Sequence, residues 1–188
     1  MVHFGLKHKQ ETLEKIRKIA DYQFGKAAGN FLFPNGVNTA LSRKTGRIRH
    51  VRCRDKLLAT LRPTDGTFSL TIDGAKRLIR ANAPSLWAKV SEEAASFISK
   101  GKSVFAKHII DADAEIRPHD EVIVLDKGGN VLAVGKAVLT GTEMKLFTRG
   151  LAVRVRRGVD EKRKNQVKQH SGRRRDQRTL AVEEPQNC

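Results

Sequence analysis

Cysteine is nearly absent from this 188-residue chain: Cys53 lies in an arginine-rich stretch and Cys188 is the last residue. Two such residues offer no spacing for a disulfide framework or a zinc site, and a reducing, cytoplasmic setting is expected. Long apolar runs are missing as well. The opening MVHFGLKHKQ has no segment of signal-peptide length, and nothing approaches the roughly 18 apolar residues of a membrane span, so no membrane partner is expected. Aromatics make up 5% of the chain. Most Phe positions read as internal, which weakens any scheme in which single-stranded bases stack in a row. Acidic residues are outnumbered, 20 against 37 Lys and Arg, for a net charge of +17.

Catalytic signatures are missing too. No glycine-rich phosphate loop, G-x-S-x-G elbow or H-E-x-x-H helix occurs. The six His are scattered without ligand spacing, so neither a metal nor another cofactor is expected. Asp111, Asp113 and Glu115 form an acidic group that could bind Mg²⁺ or share a proton; the plainer reading is a polar turn leaving a strand. Catalysis by this chain alone is not expected.

What the chain has in quantity is positive charge at its flanks. Residues 1–55 carry +8 and 154–178 another +8, against +3 over 56–153 and −2 over 179–188. Such a distribution favours a polyanion partner, nucleic acid first. A hydrophobic fraction of 39% with 30% charged residues predicts a folded body.

Hydrophobic periodicity supplies the elements. Leu13, Ile16, Ile19, Ala20 and Phe24 recur at helical spacing over Gln10–Phe24, with Gly25 as the stop. Lys15, Arg17 and Lys18 lie off that stripe, as a solvated face or part of a basic surface. TALSRKTGRIRHVRC predicts a hairpin turning at Lys44-Thr45-Gly46, with a bulge after the turn because Ile48 and Val51 break alternation. KLLATLRP and TFSLTI predict a second pair around Pro63-Thr64-Asp65-Gly66, followed by a helix capped by Asp73. SEEAASFISKG predicts a helix at the joint between two modules, and Trp87 reads as a packing residue there. Strands are then expected at Val104–Ile110, Glu121–Asp126, Val131–Leu139 and Leu151–Val155 with no long helix among them, a pattern that suggests a small barrel.

Two basic clusters stand out. Arg43, Lys44, Arg47, Arg49, Arg52 and Arg54 sit on or beside the first hairpin, where a period of two can expose alternate side chains. Arg154, Arg156 and Arg157 repeat the device at the last strand, with Arg154 and Arg156 expected on one face. Guanidinium groups so placed can fork onto phosphates.

SVFAKHIIDADAEIRPHDEVIVLDKGGNVLAVGKAVLTGTEMKLFTRGLAVRVRRG resembles a PUA domain, a small RNA-binding pseudo-barrel, of the kind that ends archaeal tRNA-guanine transglycosylase. ETLEKIRKIADYQFG and SRKTGRIRHVRCRDKLLATLRPTDGTFSLTIDGAKRL are similar to the accessory domains preceding PUA in that enzyme and in archaeosine synthase. The resemblance covers residues 10–159. Two departures are visible. The family's Pro-Gly-Asp turn is Pro118-His119-Asp120 here, and there is no room for a catalytic barrel of roughly 250 residues.

The resemblance implies tRNA as the RNA partner, its acceptor stem and CCA end gripped by the PUA barrel, with the preceding domains helping to expose a base in the D-arm. It implies RNA contacts at Lys107 and His108 near the loop after the first barrel strand, with Lys102 just ahead of that strand, and at Arg149, Arg154, Arg156 and Arg157 near the last. It also implies a catalytic tRNA-guanine transglycosylase subunit as a possible partner; an independent, ribosome-associated or regulatory RNA-binding module is the alternative.

The expected fold class is therefore α+β. It comprises an N-terminal amphipathic helix at 1–25, a small α/β-sandwich-like accessory domain at 26–101 and a PUA pseudo-barrel of short mixed strands at 102–159. A basic tail at 160–188, including Arg173, Arg174 and Arg175, should stay mobile unless a partner orders it.

Overall fold

The computed structural model describes residues 2–83 and 86–161, with side chains from residue 9 onward. The expected mobile tail lies almost wholly outside the described residues. Among them, no helix is long and apolar enough to cross a membrane.

Helix α1 (Val2–Phe24) starts earlier than its apolar stripe suggests, and it ends where Gly25 takes φ 98°. Ile16, Ala20 and Phe24 are buried, as their spacing requires. Arg17 is not simply solvated: its Nε donates to the Phe33 carbonyl at 2.8 Å and its Nη2 to Asn35 at 3.0 Å. These bonds tie α1 to the chain that leaves α2 (Ala28–Leu32). The two helices can approach because residue 29 is glycine; a Cβ there would stand 2.3 Å from the Arg17 carbonyl oxygen.

A four-stranded antiparallel meander follows: β1 (Asn38–Leu41), β2 (Ile48–Cys53), β3 (Lys56–Leu61) and β4 (Phe68–Leu70). The expected bulge falls at Arg49. Ala40 pairs with His50 and Leu41 with Ile48, so Arg49 has no partner on β1. Helix α3 (Ile72–Arg80) is capped by Thr71 and not by Asp73, because the Thr71 hydroxyl donates to the Leu57 and Leu58 carbonyls and accepts the Gly74 N–H at 3.2 Å. Asp73 sits in the first helical turn, where its charge favours the helix dipole.

The second sheet is mixed and six-stranded, in the order β6-β10-β9-β8-β5-β7. Its members are β5 (Trp87–Val90), β6 (Val104–Phe105), β7 (Ile109–Ala112), β8 (Glu121–Leu125), β9 (Val131–Ala137) and β10 (Leu151–Gly158), with β5 parallel to β8. The run expected as one strand over Val104–Ile110 is broken by a 3-10 turn at Ala106–His108. That break shapes the domain. β6 and β7 lie at opposite edges of the sheet yet are joined by three residues, so the sheet must curl until its edges nearly meet. The result is the expected pseudo-barrel.

Helix α4 (Glu92–Ser99) does not bridge two modules: Ala94 and Ile98 belong to the barrel core together with Ala88 and Val90 of β5. The second core thus begins upstream of residue 102. A further short helix, α5 (Gly141–Leu146), escaped the strand pattern. Thr140 and Glu143 form a reciprocal capping box at its start.

The two cores meet at β8, which is buried along its whole length. Val122 and Val124 face the barrel core, while Ile123 and Leu125 join the core under the meander and helices α1 to α3. Trp87 packs against that first core from β5, the packing role expected of it.

Candidate nucleic-acid interface

One end of the barrel collects cations and aromatic rings. On α4 the helical period sends Ala94 and Ile98 inward and leaves Phe97 outside, 61% exposed. On β6 the strand period buries Val104 and turns Phe105 out, 50% exposed. Between them Gly101, at φ 92°, ends the helix, and the Lys102 N–H closes back onto the Phe97 carbonyl at 3.1 Å. The 3-10 turn then presents Lys107, exposed, and His108, whose carbonyl accepts the Ser91 N–H. Phe97, Lys102, Phe105 and His108 line one groove of about 480 Å³. Arg149 is exposed beside Gly150, whose carbonyl accepts the Ala106 N–H of the same turn.

Sequence reasoning named the cations of this end and missed its rings. The expectation that most Phe positions are internal fails at Phe31, Phe97, Phe105 and Phe147. The signal was available at Phe97 and Phe105, since each belongs to an element whose period already commits its neighbours to the core.

The last strand divides its arginines. Arg154, opposite Lys136, and Arg157 are exposed. Arg156 is occupied: it forks onto the fully buried carboxylate of Glu121 and donates to the Leu70 carbonyl at 2.6 Å. The register shift between Val155 and Arg157 separates Arg156 from the regular alternation expected of it. Its guanidinium joins β10 of the barrel to β4 of the meander, while its side chain stays 39% exposed.

The first hairpin forms a separate basic face. Arg43, Lys44, Arg47 and Arg49 are all exposed, and the last three line a cavity of about 410 Å³ with Arg62. Arg62 is held by Asp65 at 3.0 Å and by Thr67. His50, on β2 between Arg49 and Arg52, has its pKa lowered from the ordinary histidine value by burial and by those two guanidinium groups. Its Nδ1 lies 3.2 Å from the Thr60 hydroxyl.

The acidic group is engaged locally. Asp111 accepts the Ala112 N–H and lies 3.8 Å from Lys145, while Asp113 accepts the Glu115 N–H at 2.9 Å. Among the described residues no cluster of His, Cys, Asp and Glu could hold a metal ion.

Comparison with known proteins matches these two units. Residues 14–84 match the patch-forming domain C2 of tRNA-guanine transglycosylase, and residues 87–159 match the PUA domain. The chain is 45% identical over 154 residues to the tRNA-guanine(15) transglycosylase of Thermococcus kodakarensis, covering 81% of this chain and 26% of that protein. It is 44% identical over 149 residues to that of Methanothermobacter thermautotrophicus, covering 79% and 23%. The chain therefore spans about a quarter of the length of these curated relatives, and its described residues contain no eight-stranded parallel barrel. Among solved structures, hypothetical protein PH0734.1 of Pyrococcus horikoshii superposes with a TM-score of 0.66 at 24% identity, covering 81% of this chain and 92% of that one. A conserved PUA domain protein from Thermoplasma acidophilum superposes with a TM-score of 0.60 at 21% identity, covering 81% and 91%.

Proposed function

The chain carries the C2 domain of the tRNA-guanine transglycosylase family followed by a PUA domain, and from that premise we propose that it is a non-catalytic RNA-binding protein that acts on tRNA in the cytoplasm. The observation that carries this reading is the groove formed by Phe97, Lys102, Phe105 and His108, in which two exposed rings stand beside a lysine and a histidine, with Glu93 also on its wall. Rings of this kind stack on unpaired bases irrespective of sequence, and flanking cations neutralise the backbone. A short single-stranded end is the part of a tRNA that offers unpaired bases with phosphates on one side. The groove takes the CCA end, Lys107 and Arg149 hold the adjoining acceptor stem, and Arg154 and Arg157 extend that contact along β10. Arg43, Lys44, Arg47 and Arg49 provide a second backbone contact on the meander.

In this role the chain supplies affinity and placement for a catalytic tRNA-guanine transglycosylase subunit, a contribution that can amount to much of a rate effect. Gel shift with tRNA, intact and lacking its 3′ CCA, tests the acceptor-end assignment. Loss of the CCA is expected to weaken binding, and unchanged binding would sink it.

A second reading, an independent RNA-binding module, is favoured by one observation. The two-domain architecture spans nine-tenths of the Pyrococcus horikoshii and Thermoplasma acidophilum chains. Affinity purification from the source cells separates the two: a co-purifying transglycosylase subunit supports the first reading, and ribosomal components support the second.

A further inference from the structure

A third basic surface lies away from both faces described above, in the angle between the β2–β3 hairpin and α3. The hairpin turns in two residues, Arg54-Asp55, with Cys53 paired to Lys56. Arg54 has φ 52°, a left-handed conformation that glycine adopts without penalty and a side chain does not. Helix α3 lies close beside β3 because residue 74 has no Cβ; one there would stand 2.3 Å from the Leu58 carbonyl oxygen. The angle so formed encloses about 780 Å³, within the size range of small-ligand pockets.

Five cations line it: Arg54 and Lys56 from the hairpin, and Lys76, Arg77 and Arg80 from α3. Only two carboxylates oppose them. Asp73 is paired with Lys56 at 3.3 Å, which leaves Asp55 against four remaining cations. Arg77 is fixed in place by its Nε, which donates to the Phe31 carbonyl at 3.1 Å. Lys76 and Arg80 are four residues apart on one helix, a spacing at which like charges repel. Two features therefore converge here: a side chain held where glycine costs less, and cations in excess of the acids around them. Both make sense if an anion occupies the groove, because it relieves the repulsion and engages the strained arginine.

We propose that this groove is a phosphate-binding site for a ligand with two or more adjacent phosphate groups, whether a stretch of RNA backbone or a free oligophosphate. It is independent of the barrel groove, having cations but no exposed ring among its walls.

The test uses the full chain with two probes at low salt, inorganic tripolyphosphate by calorimetry and a short RNA hairpin by fluorescence anisotropy. Lys76→Glu combined with Arg80→Glu is expected to lower affinity for at least one probe by about 30-fold or more. Arg54→Gly should weaken the same probe about 3- to 10-fold while raising Tm by about 2 °C, a combination that a purely structural arginine would not produce. Loss confined to tripolyphosphate identifies a free oligophosphate, and loss confined to RNA identifies backbone. Cys53 lines the groove. In a Cys188→Ser background the bound probe should slow its alkylation several-fold. Unchanged affinity for both probes in the double variant, with the fold intact, overturns the site. Phe105→Ala should not alter tripolyphosphate binding, so failure of the barrel-groove reading and failure of this one are separate results.

Discussion

Arg156 clasps Glu121 across the junction of the two domains, its Nη1 2.9 Å from Oε2 and its Nη2 bonded to Oε1. The carboxylate also accepts the Leu70 N–H at 2.8 Å, and Arg156 returns a bond to the Leu70 carbonyl. Both polar groups of one β4 residue, the guanidinium and the buried acid thus satisfy one another.

Removing one member of the clasp should be costly and removing the pair should not. Arg156→Ala leaves a buried carboxylate with a single backbone donor and is expected to lose about 3 kcal/mol. Glu121→Leu with Arg156→Met should lose markedly less, since the burial of charge is removed along with the bond. Urea denaturation checks both, and equal losses would contradict the account. Arg154→Ala, by contrast, should weaken RNA binding with no change in stability.

The same acid carries a pH dependence. Burial pushes the Glu121 carboxyl above its ordinary value, against the opposing pull of Arg156 and the Leu70 N–H. A folded-state pKa above the unfolded one means that the folded protein takes up a proton the unfolded chain does not. The contribution of this group to stability therefore grows as pH falls through the raised value toward the ordinary carboxylate range. Without Arg156 the carboxyl rises further, so Arg156→Ala should recover part of its deficit between pH 7 and pH 5. A deficit that does not change with pH would count against it.

His50 behaves in the opposite sense. Its lowered pKa keeps it neutral in the folded state while the unfolded chain protonates, so stability is lost as pH falls below the ordinary histidine value of about 6.5. His50→Gln should flatten that part of the Tm profile between pH 7.5 and pH 5.5. An unchanged slope would place the loss elsewhere.

At the departure from the Pro-Gly-Asp turn, His119 takes φ 75°, the left-handed conformation that glycine would supply. Asp120 holds the turn by accepting the Arg117 N–H at 2.8 Å. His119→Gly should stabilise the protein by about 1 kcal/mol, read from chemical denaturation. A loss would show that the imidazole has a role the backbone alone does not reveal.

Phe105→Ala should weaken binding to tRNA about 10-fold, in line with roughly 1–3 kcal/mol per stacked base. Because the ring is half exposed, Tm should hardly move. Anisotropy with a labelled 3′ end reads the first and thermal unfolding the second. Full affinity in the variant would remove stacking from the proposal.

Legibility followed locality. The α1 stripe, the Gly46 and Gly66 turns and the Arg49 bulge depend on neighbours in the chain, and all are present as read. The cap of α3 needed more, because Thr71 wins over Asp73 through bonds to carbonyls on β3. Glu121 was beyond reach. It looks like an ordinary polar start to a strand, and only the packing of the meander against β8 buries it and brings Arg156 onto it. The candidate site shows the same division: its basic residues Lys102 and His108 were legible in the sequence, while the rings between them required knowing which faces α4 and β6 bury.

The three-residue turn that joins β6 to β7 gives the barrel a seam, and Lys107 and His108 lie on it. A ligand that grips those residues closes the seam in the same act. Binding energy and barrel stability are then linked, so occupancy should raise the free energy of unfolding by RT ln(1 + [L]/Kd) and protect the backbone amides of both edge strands from solvent exchange together. Recognition at this point also locks the fold that performs it.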